Sequence, residues 1–331
     1  MVAQIDRTFM RARPAKLWPR MLAYSLFEGR PLTTRGRWIN PLVMGGHRLW
    51  RALPVKRPVT NPIFILGLGR SGTTILGTIL ALHRDVGYLN EPKALWNAAF
   101  PDDDVIGSYS RGPGRFRMGA ADASPARVRA LHGSYRAYLR LARASRIVDK
   151  YPELIFRTPL LDAAFPGARK ILLLRNGNDV CQSIDTWSRR HGRGRDDWWG
   201  HAGRKWNLML GELIEPDPFF APARRFLHGD VPPLDKAAVE WIVTMREAAR
   251  IIAAAPPDTL VLRYEELTRS PGPTLRRVLD FCHLAPDETM LGYGQSILRQ
   301  RPPYPRAPIS GPLRPLFERT MDALGYGRET P

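Results

Sequence analysis

The sequence is poor in cysteine, in acidic residues and in long apolar runs. Its 331 residues include two cysteines, Cys181 and Cys282, which excludes a disulfide framework and makes a reducing, cytoplasmic compartment the expectation. Acidic residues number 31 against 50 Lys and Arg, for a formal charge of +19. Lysine is scarce too, 7 residues against 43 arginines. No apolar run approaches the roughly 18 residues that cross a membrane, and residues 1–16 lack a signal-peptide hydrophobic segment. What is present suits a folded chain. At 44% hydrophobic residues a core can be filled, and 24% charged residues is too few for a disordered polyelectrolyte.

A charge of +19 first suggests a nucleic-acid binder, but its distribution argues otherwise. Residues 1–58 hold twelve Lys and Arg against Asp6 and Glu28, a net +10, which leaves +9 on the remaining 273 residues. That body is only moderately basic, as suits an enzyme handling polyanionic small molecules, and no nucleic-acid partner is expected. The N-terminal charge stays open between a basic binding segment and a peripheral membrane contact. Trp18, Leu22, Leu26 and Phe27 lie there among Arg and Lys.

Patterning divides the chain into a basic accessory segment, 1–60, with one or two short helices, and a domain over 61–331. Within the domain, 190–235 reads as an irregular lid or acceptor insertion. Ile63–Gly67, Val86–Leu89, Ile147–Asp149, Lys170–Leu174 and Thr259–Arg263 are expected strands, and helices are expected between them, including Thr74–Leu82 and Asp179–Arg189. Asp235 is a candidate cap of a further long helix. Pro101–Pro125 reads as a surface loop, with Asp102-Asp103-Asp104 as a solvated acidic turn rather than a cation site. Repeated strand–helix units predict an α/β three-layer sandwich with a central parallel sheet.

Gly67-Leu68-Gly69-Arg70-Ser71-Gly72-Thr73-Thr74 stands between a strand and a helix, where glycines let backbone amides and the helix start face a phosphate. It departs from the G-x-x-x-x-G-K-[ST] nucleotide loop, because Thr73 occupies the lysine position. That replacement argues against a kinase or NTPase, which stays as the alternative reading. A hundred residues on, Lys170–Leu174 delivers Arg175, and Ser183 follows eight residues later. A guanidinium fork with a hydroxyl suits a phosphate monoester.

Together these segments resemble the 5′-phosphosulfate loop and the 3′-phosphate segment of sulfotransferases that use 3′-phosphoadenosine 5′-phosphosulfate (PAPS). Gly177 replaces the usual proline and is similar to the tyrosylprotein sulfotransferase branch. Val148-Asp149-Lys150-Tyr151-Pro152, Phe165–Lys170 and Arg263-Tyr264-Glu265-Glu266-Leu267 extend the resemblance over about Pro62 to Arg301, leaving 1–60 and 190–235 outside it.

The resemblance implies a P-loop NTPase-like sulfotransferase fold and transfer of a sulfonate from PAPS to a hydroxyl or amine acceptor, with no metal required. The acceptor class stays open among small molecules, carbohydrates, lipids and peptides. It also implies site roles. Arg70, Ser71, Gly72, Thr73 and Thr74 would hold the phosphosulfate, and Arg175 and Ser183 the 3′-phosphate. Tyr264, Ser296 and Arg299 would be further donor contacts. Arg70 and Lys150 would stabilise the transferring group, and Glu91 in Asn90-Glu91-Pro92 would be the general base. His191 and His201 are rival bases, His83 reads as structural, and Cys181 as core. Trp198, Trp199 and Trp206 could stack on an acceptor or anchor the lid.

Overall fold

Strand formation follows from side chains that are apolar on both faces. In β1 (Ile63–Leu66) all four residues are fully buried. The other main strands are β2 (Val86–Asn90), β3 (Arg146–Lys150) and β4 (Arg169–Leu174). After a small antiparallel hairpin of β5 (Asp196–Asp197) and β6 (Gly200–His201) comes β7 (Thr259–Arg263). The computed structural model describes residues 3–28, 40–52, 58–107, 109, 112–191, 196–300 and 302–327. There the main strands form one parallel sheet in the order β2-β3-β1-β4-β7.

Alternation along the strands assigns the two layers of helices. Ile63, Ile65, Ile171 and Leu173 share a core with Leu76 and Ile79 of the helix Thr73–Ala81 and with Leu275 and Val278 of the helix Pro271–Phe281. The intervening residues Phe64, Leu66, Leu172 and Leu174 join Trp96, Tyr135 and Trp241 on the other face. Those rings come from the helices Lys93–Ala99, Pro125–Ala142 and Pro233–Ala254. Each such side chain contributes about 1.5–3 kcal/mol through burial. The architecture is the α/β sandwich expected from the sequence.

Two local expectations are corrected. The Pro101–Pro125 segment is not a surface loop throughout, because Val105, Phe116 and Met118 are buried in the main core. Asp103 and Asp104 are buried as well. Asp235 does not cap its helix, which begins at Pro233 with Pro232 as N-cap. Its carboxylate instead accepts hydrogen bonds from the amide of Ser310 at 3.0 Å and its hydroxyl at 2.6 Å.

The described part of the N-terminal segment is strapped to the domain by its own cations. Arg13 makes paired hydrogen bonds of 2.7 and 2.8 Å to Asp287. Lys16 donates to the carbonyls of Arg84 and Val86 at 2.9 and 2.8 Å, and burial lowers its pKa to about 8. Arg20 is buried and donates to Glu28 and to the carbonyl of Tyr88, both at 2.7 Å. These charges bind backbone and carboxylate inside the molecule instead of facing solvent.

The Arg13–Asp287 strap has a pH signature. Burial alone would raise the Asp287 pKa, but hydrogen bonds from Arg13 and from the amides of Arg84 and Met290 outweigh it and bring it to about 2. A carboxyl depressed in the folded state stabilises above its unfolded value near 4 and loses that contribution as pH falls through 2. Asp287→Asn is therefore expected to cost about 2 kcal/mol in urea unfolding at pH 7. The gap to wild type closes as the pH is lowered from about 4. A gap that stays constant over that range excludes the linkage.

A parallel sheet puts every strand's C-terminal end on one edge. The segments that follow β1, β2, β3, β4 and β7 thus gather there, and this edge carries the candidate site.

Candidate active site

The phosphate loop leaves β1 at Gly67, whose φ of +135° belongs to glycine, and a Cβ there would lie 2.6 Å from the Leu173 carbonyl oxygen. The loop closes at Gly72, with φ of +91°, which is the N-cap of the helix Thr73–Ala81. A Cβ at Gly72 would sit 2.3 Å from the Tyr264 ring. Between the two glycines, Arg70 adopts φ of +71°, a left-handed conformation costly for any residue with a Cβ. Ser71 is fully buried, and its hydroxyl has no hydrogen-bond partner. A buried, unsatisfied hydroxyl beside helix-start amides fits a bound anion.

β4 flanks β1 on one side, with Leu66 opposite Leu172. Arg175, just beyond β4, reaches across the loop and donates to the Arg70 carbonyl at 2.8 Å. Its other terminal nitrogen donates to Asp179 at 3.1 Å, and its guanidinium lies 4.4 Å above the Tyr264 ring. The Nε of Arg175 is buried without a partner. Arg70 in turn donates from Nε to the hydroxyl of Ser183 at 3.0 Å. Arg70, Arg175, Ser183, Tyr264 and Gly72 thus form one contact group built from three separate strand–helix units.

β3 flanks β1 on the other side, with Lys150 opposite Ile65. Lys150 is buried, and its ammonium contacts Glu91 Oε1 at 2.5 Å. The Glu91 amide donates to the Lys150 carbonyl at 2.6 Å, continuing the β2–β3 ladder in which Asn90 faces Lys150. Glu91 also has left-handed backbone, with φ of +54°. Both non-glycine residues expected to act on the reacting groups after β1 and β2 are therefore held in strained conformations.

Supporting residues escaped the sequence reading. The amide of Asn90 donates to Glu28 Oε1 at 2.8 Å, so the Arg20–Glu28 pair fixes the end of β2. Asp149, beside Lys150, is buried, which pushes its pKa up to about 7 against the opposing hydrogen bonds from Tyr135 and Trp96. Trp96 Nε1 donates to that carboxylate at 2.9 Å. Glu28 lies 62 residues from its backbone partner, and no local pattern announces such a contact.

From the 190–235 segment, Trp198 packs onto the phosphate loop. A Cβ at Gly69 would lie 2.8 Å from the Trp198 ring, so this glycine admits the indole. Trp198 Nε1 donates to Glu240 at 2.6 Å, and Glu240 also binds Lys205 at 2.5 Å. Trp199 and Trp206 are buried and pack edge to face at 5.8 Å, which makes them anchors of the segment.

Ser296 donates to the Tyr293 carbonyl in its own helix at 2.7 Å, and Arg299 donates to the carbonyl of Gln295 at 2.9 Å. Thr73 is buried at the helix start, and Thr74 follows it, half-buried. His83 is buried, with its ring bonded to the Ala285 carbonyl. His201 is exposed on the hairpin, and the His191 side chain lies outside the described residues, as does Arg301. Cys181 and Cys282 are buried free thiols. Among the described residues no cluster has the makings of a metal site, and no helix is long and apolar enough to cross a membrane.

Comparison with known proteins adds a family. The sequence profile of the sulfotransferase family matches residues 62–228. Nodulation protein NoeE of Sinorhizobium fredii is 32% identical over 138 residues, covering 39% of this chain and 32% of its own length. An uncharacterized protein of Aquifex aeolicus is 25% identical over 254 residues, covering 71% of this chain and 27% of its own length. The chain thus spans about a third or less of these curated relatives. Among solved structures, sulfotransferase STF1 of Mycobacterium tuberculosis is 16% identical, with a TM-score of 0.45 over 88% of each chain. The matched profile covers half of the sequence and contains the phosphate loop, Glu91, Lys150, Arg175 and Ser183, and the chain belongs to the sulfotransferase family.

Proposed function

We propose that the protein transfers a sulfonate group from PAPS to a hydroxyl or amine acceptor. One observation carries the reading. Arg175 and Ser183, a hundred residues beyond the phosphate loop, both meet Arg70 of that loop. An anion site on each side of a shared arginine suits a ligand phosphorylated at two places. The unpartnered Ser71 hydroxyl and Arg175 Nε, with the two glycines that a Cβ would block, fit such a donor.

In this assignment Ser71, Gly72, Thr73 and Thr74 bind the 5′-phosphosulfate through amides and hydroxyls. Arg175 and Ser183 bind the 3′-phosphate, and Tyr264 supports the Arg175 guanidinium from below. Ser296 and Arg299 are assigned as outer donor contacts. The donor supplies an activated sulfur, whose bond to the bridging oxygen breaks as the acceptor oxygen or nitrogen attacks in line. Arg70 neutralises charge on the departing phosphate, and Lys150 does so on the sulfonate oxygens. Glu91 takes the acceptor's proton. The products are the sulfated acceptor and adenosine 3′,5′-bisphosphate. The reaction needs no metal in this assignment, and the buried free thiols suit the cytoplasm.

The test is calorimetry with adenosine 3′,5′-bisphosphate. Wild type is expected to bind it, with Arg70→Ala and Arg175→Ala each weakening binding roughly 10- to 150-fold, the worth of a charge-assisted hydrogen bond. Absence of binding by the folded wild-type chain rejects the reading.

A further inference from the structure

Exposed apolar side chains are concentrated in one part of the molecule. Among the described residues eight large ones face solvent, and six of them, Met10, Trp18, Met21, Leu26, Leu42 and Leu49, lie in residues 10–49. Trp18 is 65% exposed. Leu42 and Leu49, two turns apart on one face of the helix Asn40–Ala52, are 73% and 71% exposed. Leu22 and Phe27, from the same part of the chain, are buried in the main core. Single exposed apolar residues are ordinary, whereas a group of neighbours marks an interaction surface.

Tertiary contacts make these residues neighbours. Residues 16–28 run along the outer side of the edge strand β2, from Lys16 on the Val86 carbonyl through Arg20 on the Tyr88 carbonyl to Glu28 on the Asn90 amide. The helix Pro125–Ala142 lies against this stretch, with the Tyr138 hydroxyl 3.5 Å from the Pro19 carbonyl oxygen. One turn further on, it exposes Leu141, a seventh member of the group. The His47 ring meets the Leu26 carbonyl at 3.1 Å, which brings the helix Asn40–Ala52 alongside. The exposed apolar group thus covers the β2 side of the molecule.

Charge on this side has one sign. Between Asp6 and Asp85 the chain holds one acidic residue, Glu28, and it is buried on Arg20. The helix Pro125–Ala142 has none, and Asp85 lies 3.9 Å from Arg84. Arg13, Lys16 and Arg20 are engaged inside the molecule, but Arg7, Arg11, Arg140 and Arg143 are exposed. Among the described residues the side chains of these four make no hydrogen bond or ion pair. Nucleic acid would satisfy such arginines and leave the Trp, Met and Leu side chains in water. An apolar protein groove would do the reverse. An anionic bilayer surface offers both, headgroup phosphates above an acyl boundary at which tryptophan is favoured.

We propose that the β2 side of the molecule docks on an anionic phospholipid bilayer. Trp18, Met21, Leu26, Leu42, Leu49 and Leu141 enter the boundary between headgroups and acyl chains, and Arg7, Arg11, Arg140 and Arg143 meet the headgroup phosphates. Docking of this kind is independent of the donor and of the reaction. The test is sedimentation of the full chain with vesicles of phosphatidylcholine, alone or with about 30% phosphatidylglycerol, at about 0.1 and 0.5 M NaCl. Wild type is expected to bind the anionic vesicles at least about tenfold more strongly than the neutral ones, and to lose most of that gain at the higher salt. Arg7→Gln with Arg11→Gln is expected to weaken binding about tenfold or more. Arg225→Gln with Arg276→Gln removes equal charge from exposed sites elsewhere and is expected to leave binding within about twofold. Trp18→Ser with Met21→Ser is expected to weaken binding about tenfold or more by removing the inserted side chains.

All six substituted side chains are exposed, so each variant is expected to keep Tm within about 2 °C of wild type. Equal sedimentation with the two vesicle types overturns the proposal, as does full binding by the Trp18 and Met21 pair. Loss of binding in the Arg225 and Arg276 pair as large as in the Arg7 and Arg11 pair overturns it too, because net charge and not this face would then be responsible. A dimer in light scattering that Trp18→Ser with Met21→Ser splits into monomers gives the face to a second copy of the chain. Duplex DNA binding lost in the Arg7 and Arg11 pair, with vesicle binding intact, gives those charges to nucleic acid.

Discussion

Glu91→Gln is expected to lower kcat about a hundred- to ten-thousandfold while changing bisphosphate affinity by no more than about twofold, because the side chain lost is a proton acceptor and not a donor ligand. Glutamine is the right replacement. Lys150 is buried and contacts Glu91 Oε1 at 2.5 Å, and an amide oxygen can still accept that hydrogen bond. The fold at the end of β2 also remains supported by Glu28 on the Asn90 amide. A variant with kcat within fivefold of wild type would remove Glu91 from the base role. Loss of bisphosphate binding would instead place it among the donor contacts.

The largest stability effect is expected at Asp103. Arg157 is fully buried and its guanidinium pairs with the Asp103 carboxylate, which also accepts from Tyr151 at 3.0 Å. Arg157 keeps hydrogen bonds to the carbonyls of Phe116 at 3.0 Å and Arg115 at 2.8 Å, yet burial already pushes its pKa down to about 9. Asp103→Ala leaves that charge uncompensated and is expected to cost about 3–5 kcal/mol in urea denaturation. Asp103→Asn retains an oxygen for the guanidinium and falls between. A cost for Asp103→Ala below about 1 kcal/mol would mean that solvent reaches Arg157 and takes over the role of the carboxylate.

The same residue shows where sequence reading stops. Three consecutive aspartates in a stretch of Gly and Pro look like a solvated turn, because composition registers the backbone and not what packs over it. Asp103 is buried by an arginine 54 positions away. The five strands of the main sheet, by contrast, were legible to within a residue at each end, since short apolar runs bounded by Gly, Pro or charge carry their own signal, whereas the two-residue strands β5 and β6 carry none. The phosphate loop was legible for a similar reason, as its glycines are dictated by the local backbone. Arg175 and Ser183 could be paired because their spacing matches the 3′-phosphate segment of the family that the sequence resembles. The left-handed conformations of Arg70 and Glu91 left no trace, because neither residue type advertises a positive φ. Trp198, Lys205 and Glu240 were missed as a unit because their contacts join segments 35 and 42 residues apart.

The straps formed by Arg13, Lys16 and Arg20 bear on how the protein can be cut. The stretch matched by the family profile, 62–228, is shorter than the stretch joined by these contacts. β7 and Tyr264 lie beyond its C-terminal side, and the partners of Arg84, Asp287, Val86 and Tyr88 lie before its N-terminal side. A fragment trimmed to that stretch would lose the edge strand next to β4 and Asp287, and would bare the carbonyls of Arg84, Val86 and Tyr88 that Lys16 and Arg20 cover. The heritable signature and the network of contacts in this molecule have different borders, and Arg13, Lys16 and Arg20 belong to the second.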